Sequence, residues 1–168
     1  MKKILSLTMA LTMLGTVLTG CGSKDAAAKT PVESSTQQTI PAQQEQSQTE
    51  KALALINTFA TGDTDTARSL LADGYIQHNL AYGTGADAFV GSVEYLASAD
   101  VKTTVNNIRA FEDGDKVFLQ TVYNFAGAGE QVAFDIFRFD ENGKIAEHWD
   151  VMETIADQST WQNQNGKF

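Results

Sequence analysis

Cysteine, histidine and basic residues are all scarce in this chain of 168 residues. One cysteine excludes an internal disulfide, a CxxC redox pair and a zinc site built on two thiolates, and two histidines exclude a three-histidine metal centre. The 12 Lys and Arg against 21 Asp and Glu give a net charge of −9. This charge argues against a nucleic-acid partner, because phosphate binding needs clustered basic side chains. The composition is therefore that of a small acidic domain, and the length is sufficient for one such domain. The amino terminus has a different composition.

Long hydrophobic runs are also missing, apart from a short one at the amino terminus. Two lysines precede an apolar run over residues 4–17, which suits the h-region of a signal peptide but falls short of the about 20 residues of a membrane-spanning helix. The run ends at Leu18-Thr19-Gly20-Cys21, which resembles the lipobox of bacterial lipoproteins, where the cysteine is lipidated and becomes the first residue. The alternative is an ordinary secretory signal with a chance cysteine. We predict a signal peptide over 1–20 and a palmitate-type lipid anchor on Cys21 that holds the protein on the extracytoplasmic side of the cell membrane.

Residues 22–49 lack aromatic side chains entirely. They contain six glutamines and both prolines, a composition that cannot bury enough apolar surface to offset the chain entropy of folding. All fifteen aromatic residues come later in the chain. We therefore predict a disordered linker over 21–49, a folded domain over 50–156 and a polar, loosely ordered tail over 157–168, in which Trp161 can fold back.

The hydrophobic periodicity of the domain changes once. Up to residue 100, apolar residues recur at helical spacing in three segments: the first ends at Gly62, the second is capped by Asp63 or Thr64, and the third begins over 84–87. Beyond it, β-branched and aromatic runs over 101–111, 116–125, 131–139 and 144–152 alternate with turn sequences. This order predicts an α+β fold, with N-terminal helices packed on one face of a curved, mostly antiparallel sheet.

The last strand carries the clearest candidate for chemistry. Alternation along a strand puts His148 and Asp150 on one face, about 7 Å apart, which suits an acid–base pair in an apolar environment. The alternative is that His148 is a satisfied structural histidine and Asp150 a solvated or salt-bridged residue. The same alternation turns to the opposite face Ile145, Glu147, Trp149 and Val151.

The preceding strand contributes differently in two registers of the hairpin. A two- or four-residue turn puts Asp135 and Phe137 on the face of the candidate pair, which gives a carboxylate–histidine–carboxylate cluster. A three-residue loop with Gly143 in the left-handed conformation replaces them with their neighbours, including Arg138, which then serves as a counter-ion. The sequence leaves both registers open.

The second histidine, His78, precedes a loop that contains tyrosine and glycine residues. Such a loop can close a pocket, although simple turn chemistry is the alternative. The two histidines and an aspartate could form a two-histidine, one-carboxylate metal site, but their spacing matches no known motif, so we predict no metal. A phosphate-binding loop, a nucleophile elbow and a dinucleotide-binding fingerprint are absent from the sequence, so we predict no cofactor.

Three segments of the domain together resemble a known family. They are Tyr75-Ile76-Gln77-His78-Asn79, Asp135-Ile136-Phe137-Arg138, and Gly143-Lys144-Ile145 followed by Glu147-His148-Trp149-Asp150-Val151. They look like the SnoaL-like branch of the nuclear transport factor 2-like superfamily, over about residues 50–154. The sequence departs from the usual pattern at Leu80, where a proline commonly follows His-Asn.

This resemblance implies a cone-shaped α+β barrel, in which a strongly bent mixed sheet wraps around a helix and encloses an apolar pocket. It also implies homodimers through the open sheet face. Named relatives include polyketide cyclases that use an Asp/His pair without a cofactor, and others are isomerases, dehydratases or non-catalytic binding modules. We therefore take Asp150, His148 and His78 as catalytic candidates, and as pocket residues Asp135, Phe137, Trp149 and Tyr75.

These patterns favour a lipid-anchored domain that holds a small, largely apolar ligand in a closed pocket. The chemistry expected of it is cofactor-independent proton transfer next to a carbonyl, of the cyclase, isomerase or lyase type, with Asp150 as base and His148 or His78 as proton donor. The alternative is a non-catalytic ligand-binding or protein-interaction lipoprotein of the cell envelope. The expected partners are an unidentified small molecule, the lipid bilayer through Cys21 and a second copy of the chain; nucleic acid is not among them.

Replacing the lone cysteine tests the anchor. Because the thioether to the lipid needs the sulfur, Cys21→Ser should leave the protein unprocessed or released from the membrane. Membrane fractionation with mass measurement of the product checks this. A mutant of mature size that fractionates with membranes like the wild type would contradict the prediction.

Overall fold

A computed structural model of the chain describes residues 46–168. The helices are α1 (Gln48–Thr61), α2 (Thr64–Leu70) and α3 (Ala86–Ser98), and the strands are β1 (Leu71–Gln77), β2 (Thr104–Asp113), β3 (Lys116–Asn124), β4 (Gln131–Phe139) and β5 (Ile145–Thr154). Short 3-10 turns span Phe125–Gly127 and Gln158–Thr160. The predicted signal peptide, Cys21 and the linker as far as residue 45 lie outside the described residues. Within them, no helix has the length and apolar character needed to cross a membrane.

Helix α1 begins at a reciprocal cap formed by Ser47 and Glu50. The Ser47 hydroxyl accepts a hydrogen bond from the Glu50 amide at 3.1 Å, and the Glu50 carboxylate accepts one from the Ser47 amide at 2.8 Å. The helix therefore starts two residues inside the segment expected to be linker, because the cap satisfies its free amides. It ends at Gly62, as predicted, with this glycine in the left-handed conformation at φ 74°.

The caps of the next two helices differ from each other. Asp63 caps α2 by accepting from the Thr66 amide at 2.9 Å, and this bond lowers the pKa of the Asp63 carboxyl. Helix α3 begins after Gly85, within the start predicted over 84–87, and has no side-chain cap. The Thr84 hydroxyl instead accepts from the amide of Gln77 at 3.2 Å and ties the loop to β1.

The five strands form one sheet in the order β1-β5-β4-β3-β2. Strands β2 to β5 form an antiparallel meander, and β1 pairs parallel to β5 at the edge. The predicted α+β fold, with helices packed on a mostly antiparallel sheet, is confirmed. Among the described strands the sheet stays open, because the edges β1 and β2 do not pair with each other and α1 packs against β2.

The β4–β5 hairpin combines features of both registers left open by the sequence. Its loop has three residues, 141–143: the Asp140 amide donates to the Lys144 carbonyl at 2.9 Å, and Gly143 is left-handed at φ 67°. The pairing then shifts by one residue, since Phe139 lies opposite Ile145 but Arg138 lies opposite Glu147. Ala146 is therefore a β-bulge, an extra residue on one strand.

The bulge decides which residues share the inner face. Beyond it, Asp135 lies opposite Asp150, and Phe137 lies opposite His148. Directly opposite residues point to the same side of a sheet, so the carboxylate–histidine–carboxylate face forms despite the three-residue loop. The bulge also corrects the expected position of Ile145, which is fully buried in the same core as Phe137 rather than turned away from it.

The carboxyl-terminal segment 157–168 folds back across the outer face of the sheet. The Gln120 side-chain amide donates to the Lys167 carbonyl at 2.9 Å, and the Lys167 ammonium lies 2.6 Å from the Glu153 carboxylate. Val122 and Val132 lie near Gln120 and point to the outer face, because they alternate with inward-facing residues. Their side chains are nevertheless only 6% and 3% exposed. The segment thus makes defined contacts at one end of this face, where the sequence predicted a loose tail.

A pair of glycine substitutions tests how α1 and α3 meet. A Cβ at Gly62 would lie 2.8 Å from the Cβ of Ala97, whereas one at Gly114, also left-handed at φ 62°, would meet nothing within 4 Å. Gly114→Ala should cost about 1 kcal/mol for the left-handed backbone alone, and Gly62→Ala about 2–3 kcal/mol because the helices must also shift. Denaturant unfolding measures both, and equal losses would contradict the close approach of the two helices.

Candidate functional site

A cavity of about 630 Å³ lies between the helices and the inner face of the sheet. Its polar residues are Gln77, Ser92, Asp135, His148 and Asp150. Its aromatic residues are Phe59, Tyr82, Phe89, Tyr95, Tyr123, Phe125 and Phe137. The other lining residues are aliphatic or small, and Ala88 and Gly91 on α3 are among them. Small side chains on that face of α3 leave open a space that larger ones would fill.

The imidazole of His148 is held between two acceptors. Its Nε2 lies 3.2 Å from Oδ1 of Asp135, and its Nδ1 lies 3.2 Å from Oε1 of Gln77. The Asn79 amide also donates to that Oε1 at 2.9 Å, which identifies it as the oxygen of the side-chain amide. The ring stacks on Phe137, with centroids 4.4 Å apart. Each ring nitrogen therefore faces an oxygen, an arrangement that accommodates an N–H on both.

Asp135 is buried, and both of its oxygens have partners. One oxygen faces His148, and the other accepts the Tyr123 hydroxyl at 2.9 Å. Burial, followed by the negative charge of Asp135, raises the pKa of Tyr123 well above its ordinary value. Burial also raises the pKa of Tyr75, with smaller contributions from the charges of Asp150 and Asp135.

The two carboxylate oxygens of Asp150 differ in their hydrogen bonding. Its Oδ1 accepts from the Asn79 side-chain amide at 2.7 Å, and Asn79 is itself held because its Oδ1 accepts from the Ala81 amide at 2.9 Å. The second oxygen of Asp150 has no hydrogen-bond partner within residues 46–168. Because Asp150 lines the cavity, this oxygen is the acidic group that can meet a ligand.

These three side chains also raise the question of a metal ion. Asp135, His148 and Asp150 each offer one ligand atom, and the three atoms lie within 4.8 Å of one another. Both nitrogens of His148 and both oxygens of Asp135 are already hydrogen-bonded, so a cation held by all three would have to displace protein partners. The donor set is arranged for hydrogen bonding among the side chains themselves.

The structure brings four of the predicted residues together at the cavity and separates three from it. Those at the cavity are Asp135, Phe137, His148 and Asp150. Tyr75 is buried behind the wall, where its ring meets Phe89 edge-on at 6.0 Å and its hydroxyl accepts from the side-chain amide of Gln77 at 3.3 Å. The other two, His78 and Trp149, lie on the outer face of the sheet.

The position of His78 corrects the expectation that it belongs to the pocket. Its ring stacks on Trp149 with centroids 4.4 Å apart, and its Nε2 lies 2.9 Å from the Glu147 carboxylate. The hydrogen bond from His78, and then that from Arg138, lowers the pKa of Glu147. His78 points outward because its neighbours Gln77 and Asn79 point inward, and Trp149 does so for the same reason.

Sequence reasoning missed three site residues, Gln77, Asn79 and Tyr123. The first two stand in a motif quoted above but were not assigned to the site, because β1 was not predicted: its Asp-Gly pair resembles a turn, and its parallel partner is far along the chain. With β1 assigned, alternation would have sent both side chains to the inner face. Tyr123 carried a signal of its own, since it is the last inward residue of β3 and a buried tyrosine hydroxyl needs a partner.

An open sheet with helices on one face and a cavity between the layers is the architecture implied by the resemblance. Residues 52–148 match the family model of the SnoaL-like domain, and the chain belongs to that family. No curated protein matches the chain.

Solved structures share the fold. One is an NTF2-like protein of unknown function from Cytophaga hutchinsonii, with 16% identity and a TM-score of 0.57, covering 66% of this chain and 94% of that one. Another is IdmH, a candidate polyketide cyclase from Streptomyces antibioticus, with 19% identity and a TM-score of 0.52, covering 64% and 93%. A third is an LEH-like epoxide hydrolase from M. tuberculosis, with 18% identity and a TM-score of 0.54, covering 61% and 80%. At these identities the similarity concerns the fold alone.

The two buried tyrosines predict the behaviour of the domain in alkali. Their pKa values are raised in the fold, so the stability they contribute is fully present below the ordinary tyrosine pKa of about 10 and is lost as the pH rises beyond it. We expect ionisation of Tyr75 and Tyr123 to coincide with unfolding, measured by phenolate absorbance and circular dichroism. The exposed Tyr95→Phe is the control. Ionisation of all four tyrosines before any loss of structure would contradict the prediction.

Proposed function

We propose that the chain is a lipid-anchored, extracytoplasmic domain that binds a small, largely apolar molecule in its cavity. The observation that carries the proposal is the cavity of about 630 Å³, with aromatic walls and its charged groups at one end. Ligand pockets of this size are mostly apolar, with a few polar groups that orient the ligand. The anchor rests on the lipobox-like sequence that ends at Cys21.

The relatives are compatible with this proposal. IdmH is a candidate polyketide cyclase, and the M. tuberculosis neighbour is an epoxide hydrolase, so both names refer to reactions of small molecules. The fold therefore accommodates small-molecule sites, although it does not choose the ligand.

Proton transfer next to a carbonyl is the second candidate function. The observation that favours it is the unbonded oxygen of Asp150 in a cavity with apolar walls. In this mechanism Asp150 removes a proton from carbon, and no cofactor is needed. His148 donates a hydrogen bond to the developing enolate oxygen after it releases Gln77. His78 takes no part, because it lies on the other face of the sheet.

A homodimer through the sheet face is a further proposal. Phe111 and Phe118 lie opposite each other on β2 and β3, and together with Phe134 and Val151 they leave apolar surface on the outer side of the sheet. Such a patch suits a protein partner. The carboxyl-terminal segment occupies the end of this face near Gln120, so a second copy would contact the remainder.

A substitution at the cavity wall tests ligand binding. A Cβ at Gly91 would meet nothing within 4 Å, and Gly91 lines the cavity, so the side chain of Gly91→Leu has room to begin there and extends into the cavity. It should weaken binding of the uncharged probe 1-naphthylmethanol by about tenfold, whereas Glu94→Leu, on the same helix but outside the lining, should not. Equilibrium dialysis of the full chain in a non-ionic detergent, against a detergent blank, gives the affinities. Equal affinities in both variants would contradict binding in this cavity.

Exchange of acidic C–H protons tests the chemistry. If Asp150 is a base, the full chain should accelerate deuterium exchange at the carbons beside the carbonyl of 2-tetralone, followed by NMR in D₂O. Asp150→Asn should slow this exchange by about 10²-fold or more and leave the fold and binding of the uncharged probe nearly unchanged. Equal exchange rates in wild type and variant would refute the assignment of Asp150 as base.

A further inference from the structure

The two carboxylates of the cavity, Asp135 and Asp150, differ in the partners that compensate their charge. Asp135 has two donors, the Tyr123 hydroxyl and the imidazole of His148. Asp150 has only the neutral amide of Asn79. The part of the chain that the structure describes places no lysine or arginine on the cavity wall. One carboxylate thus faces the cavity with no cation assigned to it.

The walls of the cavity that holds this carboxylate are rich in aromatic rings. Phe125 lies at the centre of a group, stacked on Tyr123 at 4.9 Å and edge-on to Phe59 at 5.7 Å. Tyr82 and Tyr95 also line the cavity and are 50% and 73% exposed, so they stand at its opening. Aromatic faces carry partial negative charge and attract cations, most strongly where water is excluded.

An organic cation satisfies both features at once. Its charged nitrogen can pair with Asp150, and its carbon skeleton can lie on the aromatic walls. An anionic ligand would meet two carboxylates, and an uncharged one would leave Asp150 unpaired. A metal ion needs several ligand atoms, but the oxygens of Asp135 and the nitrogens of His148 are already hydrogen-bonded to other side chains. Burial is the main cause of the raised pKa of Tyr75, and the smaller contributions of Asp150 and Asp135 agree with two negative charges at this end of the cavity.

We infer that the ligand of this cavity is a hydrophobic organic cation, a protonated amine or quaternary ammonium compound, with its nitrogen at the unbonded oxygen of Asp150. The inference rests on the proposed binding function and names the chemical class of its ligand. It makes Asp150 an ion-pair partner of the ligand.

Three probes of the same shape and different charge test the inference. They are 1-naphthylmethylammonium, 1-naphthylmethanol and 1-naphthoate, dialysed at neutral pH against the full chain in a non-ionic detergent. The ammonium probe should bind about tenfold more tightly than the alcohol, and the carboxylate least tightly. If the alcohol binds as well as the ammonium, this inference fails and the proposed function stands. If none of the probes binds, both fail.

Substitution of the carboxylate locates the effect. Asp150→Asn keeps the shape of the side chain, so it should abolish the preference for the ammonium probe while the alcohol still binds, which also shows that the cavity is intact. Asp113→Asn, at an exposed position at the end of β2, should keep the preference. A preference that survives Asp150→Asn overturns the inference. Displacement of the ammonium probe by Zn²⁺ or Mg²⁺ overturns it in favour of an inorganic cation.

Discussion

The single-residue bulge at Ala146 is the constraint on which the site depends. The three-residue hairpin loop by itself pairs the strands so that residues 134, 136 and 138 share the face of His148. The bulge shifts this pairing by one residue and turns Asp135 and Phe137 inward instead. Arg138 consequently points outward, where it pairs with Glu147. Without the bulge, the cavity would exchange a carboxylate for a guanidinium.

The parallel pairing of β1 with β5 supplies the second half of the site. Gln77 lies beside His148 in this pairing, and the His78 amide donates to the His148 carbonyl at 2.9 Å. Alternation then sends Gln77 and Asn79 to the inner face, where Gln77 is hydrogen-bonded to His148 and Asn79 to Asp150. Because Gln77 and Asn79 point inward, His78 between them points outward. Its imidazole stacks on Trp149 at the other face of the sheet.

The remaining freedom of the site lies in one oxygen of Asp150. The other carboxylate oxygen of Asp150, both oxygens of Asp135 and both ring nitrogens of His148 already have hydrogen-bond partners within the protein. These bonds hold His148 and Asp135 in place. As a base, Asp150 would need a ligand with an acidic C–H bond; as an ion-pair partner, it would need a cation. A bound cation stabilises the carboxylate and weakens it as a base, so one ligand cannot use both roles. The charge of the ligand, rather than the fold, decides between them.

The sequence alone determined the three helices, four of the five strands and the pair at the centre of the site. Helical spacing and turn composition predicted three helices and the four strands of the meander, and strand alternation placed His148 and Asp150 on one face, because these are local properties. Membership of the candidate residues in one cavity needed the tertiary structure. The position of the bulge, the pairing of β1 and the outward turn of His78 depend on contacts between residues about 70 positions apart or on a one-residue shift. These features leave no periodic signal in the sequence. A bulge is only one extra residue in a strand, and two parallel strands are not connected by a short turn that the sequence could reveal.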